Sequence, residues 1–223
     1  MMEKQYADYS WEMAARLLAI DSPSGYTQRA AQWVCDSFRQ LGFDARLTRK
    51  GGVLVDFGGE NKEDGLLLEA HTDTLGAMVC QVKGSGALKL TNLGGMNANN
   101  AEAENVRVYT RDGRVYEGTC QLHDPSIHVN GGYNDAKRSW DSVEIILDED
   151  VHSQEDVKAL GIEVGDIVCF DPRTRRTDSG YLKSRFLDDK LSVGILFGFA
   201  RYLKDNGITP ARRVYGHVTV YEE

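Results

Sequence analysis

The sequence predicts an α/β domain that is interrupted by a β-rich insertion. In the first and last parts of the chain, helical patterns alternate with short apolar runs bounded by glycine. In the middle, tight glycine turns separate stretches of alternating apolar and polar residues, which is typical of hairpins. We therefore expect residues 1–74 and 179–223 to form one α/β domain, because an interrupted order that resumes indicates an insertion, here residues 75–178.

Composition limits the kind of protein. The 223 residues are 41% hydrophobic, which is enough for a buried core, and carry a formal net charge of -8. Such a charge disfavours nucleic acid and anionic membranes as partners. The start of the chain has no apolar signal-like run, and the longest apolar stretches are far below the ~20 residues that span a bilayer. We expect a cytoplasmic protein with four reduced cysteines, since no C-x-x-C pair occurs.

The first block contains two amphipathic helices on either side of the turn DSPSG. Thr27 is a candidate N-cap for the second helix, and Gly42 ends it. The apolar face of the first helix is formed by Met13, Leu17, Leu18 and Ile20, and that of the second by Ala30, Val34, Phe38 and Leu41. The runs GGVLVDFGG and GLLLEAH follow, and they have the pattern of strands covered on both faces of a sheet.

The middle and last blocks contain further elements that can be placed. VKGSGALKL and YTRDGRVYEG predict hairpins, and LGGMNANNAEAEN predicts a loop. Ser153 and Asp156 form a predicted capping box for one helix, which Gly161 ends. After the insertion, LDDKLSVGILFGFARYLKDN predicts a long buried helix that Gly207 ends, and RRVYGHVTVYEE predicts a final strand.

His71 and Asp73 follow the apolar run LLLEA and are the first candidate site. Residues two apart on a strand share a face, so the Asp73 carboxylate can reach the imidazole ring. A metal-binding histidine uses such a carboxylate to fix its tautomer. The alternative is an ordinary polar turn after a strand.

Two acidic pairs lie at equivalent positions of the α/β blocks. Asp188 and Asp189 begin the long helix, where one carboxylate could bridge two cations or simply cap the helix. Glu222 and Glu223 end the final strand, at the position where open α/β sheets bind ligands. We expect their side chains to diverge, one as a metal ligand and the other as a base, unless both are merely solvated.

Four ordered motifs resemble one known family. IDSPSGYT, LLLEAHTDTLGAMV, KSRFLDDKLSV and VTVYEE occur in the order found in the glutamyl and tetrahedral aminopeptidase family of dinuclear metallopeptidases. The resemblance covers essentially the whole chain. It implies a partial zinc-peptidase-like catalytic domain, three-layered around a mixed sheet, with a barrel-like inserted domain.

The resemblance also implies residue roles. His71 would bind one metal, Asp188 would bridge both metals and Glu223 would bind the other. Glu222 would be the general base, with Asp73 supporting His71. The implied cofactors are two divalent ions, zinc or cobalt, and the implied reaction removes N-terminal residues from short peptides through a metal-bridged water. It further implies a dimer-based homo-oligomer and a cis peptide between Asp188 and Asp189.

The sequence departs from the family after the paired glutamates. Relatives continue and supply a further aspartate and histidine as ligands, so we expect a truncated chain that binds metal weakly and is inactive alone. His217 is six residues before Glu223 on the same strand, about 20 Å away, and is a poor substitute. Two alternatives stay open: a remnant or partner-binding module without catalysis, and a glycoside hydrolase, for which adjacent glutamates are too close together.

Overall fold

The computed structural model describes residues 4–223, which divide into two compact units. One unit contains the residues up to Thr74 together with Pro172–Glu223, and the other is Leu75–Asp171. The sequence placed the second boundary after residue 178. The ribbon of residues 175–183, of which the sequence assigned residues 175–178 to the insertion, belongs by its contacts to the α/β unit.

Four helices and twelve strands are named here in chain order. They are α1 (Lys4–Leu18), α2 (Gln28–Gln40), β1 (Asp44–Leu47), β2 (Val53–Gly58), β3 (Asn61–His71), β4 (Gly76–Val82), β5 (Leu88–Leu93), β6 (Glu104–Tyr109), β7 (Val115–Leu122), β8 (Val143–Leu147), α3 (Gln154–Ala159), β9 (Ile167–Phe170), β10 (Arg175–Arg176), β11 (Leu182–Lys183), α4 (Leu187–Asn206) and β12 (Arg212–Thr219).

The α/β unit contains a mixed four-stranded sheet in the order β1-β2-β12-β3. β12 pairs with β2 in antiparallel and with β3 in parallel orientation, and Thr219 lies opposite His71 at the end of the parallel ladder. β3 and β12 therefore end at the same edge of the sheet.

One face of this sheet packs against the helices. Alternate residues of β2 and β12 are fully buried, as the two-residue period of a strand requires. Phe38 of α2 and Phe197 of α4 stack above this face with ring centroids 4.0 Å apart. Gly194 lets α4 approach α1 closely, because an added Cβ would lie 2.6 Å from the Ser10 carbonyl oxygen.

The prediction that both apolar runs are covered on both faces is wrong for GLLLEAH. Most of β3 is exposed, and Leu66 and Leu67 retain 40% and 50% of their accessible surface. The physical reason is position, because β3 is the last strand of the sheet within the described residues. Only its end is covered: Leu68 packs against the core, and Ala70 and His71 are buried.

The second unit is a closed barrel in the strand order β4-β5-β8-β7-β6-β9. Both predicted hairpins occur, as β4–β5 and β6–β7. The predicted capping box is also confirmed, since the Ser153 hydroxyl accepts the Asp156 N–H at 3.2 Å. The α/β architecture interrupted by a barrel-like domain is thus confirmed.

Some local details differ from the sequence prediction and others agree. Thr27 is the N-cap residue of α2, as predicted, but its backbone is already helical and its side chain makes no capping hydrogen bond. Gly207 ends α4 in the left-handed conformation, as predicted.

All four cysteines are free, and only Cys80 is exposed. No helix within residues 4–223 is long and apolar enough to cross a membrane.

Candidate metal centre

The sheet brings two of the predicted clusters to one edge. His71 is the last residue of β3, and Glu222 and Glu223 follow β12 by three and four residues. Because the two strands are parallel and in register at His71 and Thr219, their ends lie side by side. The Thr72 N–H donates to the Thr219 carbonyl oxygen at 3.0 Å and extends this contact beyond the strand.

The His71 ring is buried and held at both nitrogens. Its Nδ1 lies 3.1 Å from the Asp73 carbonyl oxygen and 3.4 Å from the Asp73 carboxylate. Since a carbonyl oxygen can only accept, this contact favours the tautomer with the proton on Nδ1. Nε2 faces the carboxylates of Asp188, 3.1 Å away, and Glu222, 3.5 Å away, and donates to Asp188 when the ring is protonated.

Asp73 holds the glutamate segment as well as the histidine. Its fully buried carboxylate accepts hydrogen bonds from the backbone N–H groups of Glu222 and Glu223, each at 3.1 Å. It also accepts from the Ser24 hydroxyl at 2.7 Å. One carboxylate therefore fixes three separate segments of the chain.

Ser24 reaches Asp73 because the turn between α1 and α2 runs beside the segment after β3. Pro23 and Thr74 form a parallel bridge, the Thr74 N–H donates to the Ser22 carbonyl oxygen and the Ser24 N–H donates to that of Thr74. The Ser22 hydroxyl donates to the Thr72 carbonyl oxygen at 2.7 Å. Sequence reasoning identified DSPSG as a turn and as part of a motif of the resembled family, but gave Ser24 no role. The two serine hydroxyls on either side of Pro23 were the available signal.

Asp188 and Asp189 begin α4 with non-helical backbone angles, and the peptide bond between them is cis, as the resemblance implied. Neither residue occupies the N-cap position, which belongs to Phe186. Asp189 Oδ2 instead accepts the backbone N–H of His71 at 3.3 Å. The Asp188 side chain contacts His71 Nε2 and is 89% exposed. Its carboxylate is therefore accessible to a ligand.

Glu222 and Glu223 both turn toward the histidine. One donor atom from each of His71, Glu222 and Glu223 lies within 4.8 Å of the other two. The expectation that the two glutamate side chains diverge is therefore wrong. The alternation of side chains applies within a strand, and β12 ends at Thr219, before the two glutamates.

The neighbouring carboxylates shift the pKa values of two site residues, His71 and Glu223. Burial lowers the pKa of His71, but the hydrogen bond to Asp188 and the charge of Asp73 outweigh burial, so this pKa is raised overall. Burial raises the pKa of Glu223, as do the charges of Glu222 and Asp188, against the opposing effect of His71. A bound cation would relieve this repulsion.

The structure does not bring every histidine to this edge. His217 lies within β12, and its Nδ1 is 3.1 Å from Glu69 on β3. His217 and Glu69 lie directly opposite each other in the parallel pairing of β12 with β3. His123 belongs to the barrel unit and lies 3.3 Å from Glu144.

The donor set suits a borderline cation. One imidazole nitrogen and the carboxylates of Asp188, Glu222 and Glu223 are ligand types found in catalytic zinc sites. Asp73 supplies the outer support that a metal-binding histidine needs on its second nitrogen. These residues therefore fit a divalent metal ion.

A family model described as M42 glutamyl aminopeptidase matches residues 51–223. The YhfE protein of Bacillus subtilis (strain 168) is 40% identical over 185 residues, covering 83% of this chain and 54% of that protein. A lysyl aminopeptidase of Pyrococcus furiosus is 25% identical over 197 residues, covering 88% of this chain and 56% of that enzyme. The chain thus spans about half the length of these relatives.

Solved structures share the fold. An aminopeptidase from the archaeon Desulfurococcus kamchatkensis superposes with a TM-score of 0.84 at 25% identity, over 98% of this chain and 57% of that one. A TET aminopeptidase from a Thaumarchaeota archaeon gives 0.86 at 23% identity, over 97% of this chain and 59% of that one. The family resemblance of the four motifs is confirmed, and the chain belongs to the M42 glutamyl aminopeptidase family.

Proposed function

We propose that this chain provides part of the active site of a metal-dependent aminopeptidase that removes N-terminal residues from short peptides. The observation that carries the proposal is the convergence of His71, Glu222 and Glu223 within 4.8 Å, with Asp188 at hydrogen-bond distance from the same histidine. Membership of an aminopeptidase family and relatives that are named aminopeptidases support the reaction class.

Four side chains take defined roles in this proposal. His71 would hold one divalent ion through Nε2, Glu223 would hold a second, and Asp188 would be shared between them. Zinc or cobalt suits this set of nitrogen and oxygen donors. When bound, the ions would polarise the scissile carbonyl and acidify a water molecule.

Glu222 is the proposed general base. Its side chain is 62% exposed, so water and substrate can reach it, and its carboxylate lies 3.5 Å from His71 Nε2. It would accept the proton of the attacking water and return it to the leaving amine. Asp73 is a positioning residue, because it keeps the proton on His71 Nδ1 and fixes the backbone of both glutamates.

The three proposed ligands, His71, Asp188 and Glu223, are fewer than two complete zinc coordination shells require, since a catalytic zinc ion commonly has three protein ligands. We therefore propose that the 223-residue chain alone binds zinc weakly and turns over substrate slowly or not at all. We further propose that the functional protein is a cytoplasmic homo-oligomer. One structural neighbour is described as assembling into a tetrahedron or a large octahedral shell, which supports assembly in this fold.

The proposal is tested by metal titration of demetallated chain, with zinc and cobalt measured by calorimetry and hydrolysis of aminoacyl anilides measured in parallel. We expect weak but specific binding that His71→Ala and Glu223→Gln each abolish. Glu63→Gln, on the exposed part of β3, is the matched control and should bind like the parent chain.

Two outcomes would contradict the proposal. If His71→Ala and Glu223→Gln bind metal as well as the parent chain does, the proposed metal site is refuted. That result would favour a chain without catalytic function. Tight binding of two zinc ions with rapid anilide hydrolysis would refute the predicted weakness of this chain while supporting the site.

A further inference from the structure

A separate concentration of positive charge lies in the segment that precedes α4. Residues 173–185 contain five basic residues and one acidic residue, whereas the whole chain has a net charge of -8. The segment folds as the two-stranded ribbon β10–β11, in which Arg175 pairs with Lys183 and Arg176 pairs with Leu182.

The two faces of the ribbon have different surroundings. Side chains alternate between faces, so Arg176 points away from Arg175 and Lys183. Arg176 attaches its face to α1, because its guanidinium lies 2.8 Å from the Asp8 carboxylate and 5.3 Å from the centre of the Trp11 ring. The opposite face presents Arg175 and Lys183 side by side, both exposed. Like charges opposed across a ribbon repel each other, which makes this face a candidate for binding an anion.

The charged face borders a defined cavity of about 360 Å³. This volume falls within the range of small-molecule sites, roughly 300–1,000 Å³. The cavity is lined by Pro172, Arg173, Arg175, Lys183, Ser184 and Arg185. Four of these six residues are cationic, and guanidinium and ammonium groups are the side chains that bind carboxylate and phosphate oxygens.

Backbone and hydroxyl contacts hold the cavity wall in place. The Arg185 N–H and the Ser184 hydroxyl both donate to the Pro172 carbonyl oxygen, at 2.8 and 3.0 Å. The hydroxyls of Thr174 and Ser184 lie 2.7 Å apart and tie the two sides of the ribbon together. The cationic side chains therefore project from a braced support, which lowers the ordering cost of binding a ligand.

We propose that this ribbon cavity binds a small multivalent oxyanion, with Arg175 and Lys183 as its principal ligands. The shared chemistry is a cluster of carboxylate or phosphate oxygens that several cations contact together. This site is distinct in its residues from the candidate metal centre, and the proposal does not depend on peptidase activity.

Calorimetry on the metal-free full chain at low ionic strength tests the proposal with two probes. Inorganic pyrophosphate represents phosphate ligands, and the peptide Glu-Glu-Glu represents carboxylate ligands. We expect at least one probe to bind in a salt-dependent manner, and the double variant Arg175→Gln, Lys183→Gln to weaken that binding at least tenfold. Binding of either probe with this loss supports the site and identifies which oxyanion it prefers.

The matched control is the double variant Arg49→Gln, Lys50→Gln, which removes two exposed positive charges from the turn between β1 and β2. The proposal is overturned if neither probe binds the parent chain, or if the control loses as much affinity as the ribbon variant. Amide chemical shifts of the parent chain give a second measurement without mutation. Shifts at Thr174 and Ser184 on adding the bound probe support the site, and shifts confined elsewhere refute it.

Discussion

At the scale of single residues, Asp73 explains how distant parts of the chain meet. Its buried carboxylate accepts the N–H groups of Glu222 and Glu223 and the hydroxyl of Ser24, while its carbonyl oxygen orients His71. Removing this buried acceptor should destabilise the fold, because each buried donor left without a partner costs about 1–3 kcal/mol of folding free energy.

Asp73→Asn should therefore weaken zinc binding by about 10–100-fold, since the amide cannot accept from all the donors that the carboxylate serves. Calorimetry on demetallated protein measures the affinity. Ser24→Ala is the comparison, because it removes one donor and keeps the Asp73 charge. Its affinity should stay within a few-fold of the parent. Equal losses in both variants at equal melting temperatures would show that Asp73 does not act through its charge.

The sequence was informative about residue types and less so about geometry. The sequence makes His71, Asp188, Glu222 and Glu223 candidates because they follow apolar runs or begin an apolar helix. The contact of Asp189 with the His71 N–H and the role of Ser24 depend on tertiary approach, which no local pattern encodes. The turning of both glutamates toward His71 follows from where β12 ends, and strand ends are poorly defined by sequence.

At the scale of elements, the close crossing of α1 and α4 depends on small side chains. An added Cβ at Gly194 would lie 2.6 Å from the Ser10 carbonyl oxygen and 2.7 Å from Ala14 Cβ. Gly194→Ala should lower the free energy of unfolding by about 1–3 kcal/mol. This sign is opposite to helix propensity, which favours alanine over glycine by about 1 kcal/mol.

Urea unfolding measures this effect, with Ile195→Ala as the control on the exposed side of the same helix. The control should change stability by less than Gly194→Ala. A stabilised Gly194→Ala variant would contradict the described contact between α1 and α4.

In the barrel unit, a partly buried ion pair between Arg138 and Glu102 stabilises the long connection between β7 and β8. Arg138 contacts both carboxylate oxygens of Glu102 and donates to the carbonyl oxygens of Tyr133 and Ala136. The hydrogen bonds from Arg138 lower the pKa of Glu102 below its ordinary 4.5. The stabilisation is therefore complete above pH 4.5 and is lost as pH falls through the lower folded-state pKa.

Glu102→Gln should thus reduce the free energy of unfolding by ~1 kcal/mol at neutral pH, and the difference from the parent chain should shrink in acid. Urea unfolding at a series of pH values below 4.5 measures the change. Glu117→Gln, on the exposed side of β7, controls for the loss of one carboxylate. A difference between Glu102→Gln and the parent chain that grows in acid would show the opposite sign of coupling.

Elements with local signals were predictable, including the two hairpins, the capping box at Ser153 and the end of α4 at Gly207. Hairpins join neighbouring segments, whereas the pairing of β4 and β6 with β9 joins segments far apart in the chain. Closure of the barrel therefore came from the family resemblance. The exposure of β3 was missed because its apolar run does not reveal that it lies at the edge of the sheet.

At the scale of the whole molecule, the α/β unit is assembled from the two ends of the chain, on either side of the barrel segment. The parallel pairing of β3 with β12 is the step that matters for function, because it sets His71 opposite Thr219. The start of α4 then supplies Asp188 to the same histidine. The candidate metal centre is thus a product of topology and not of any one sequence motif.

The most direct measurement is an anomalous difference map from crystals of this chain soaked with zinc. The account predicts a peak within coordination distance, about 2.0–2.2 Å, of His71 Nε2 and of a carboxylate oxygen from Asp188, Glu222 or Glu223. A zinc peak elsewhere in the α/β unit, with none beside His71 at saturating metal, would contradict it.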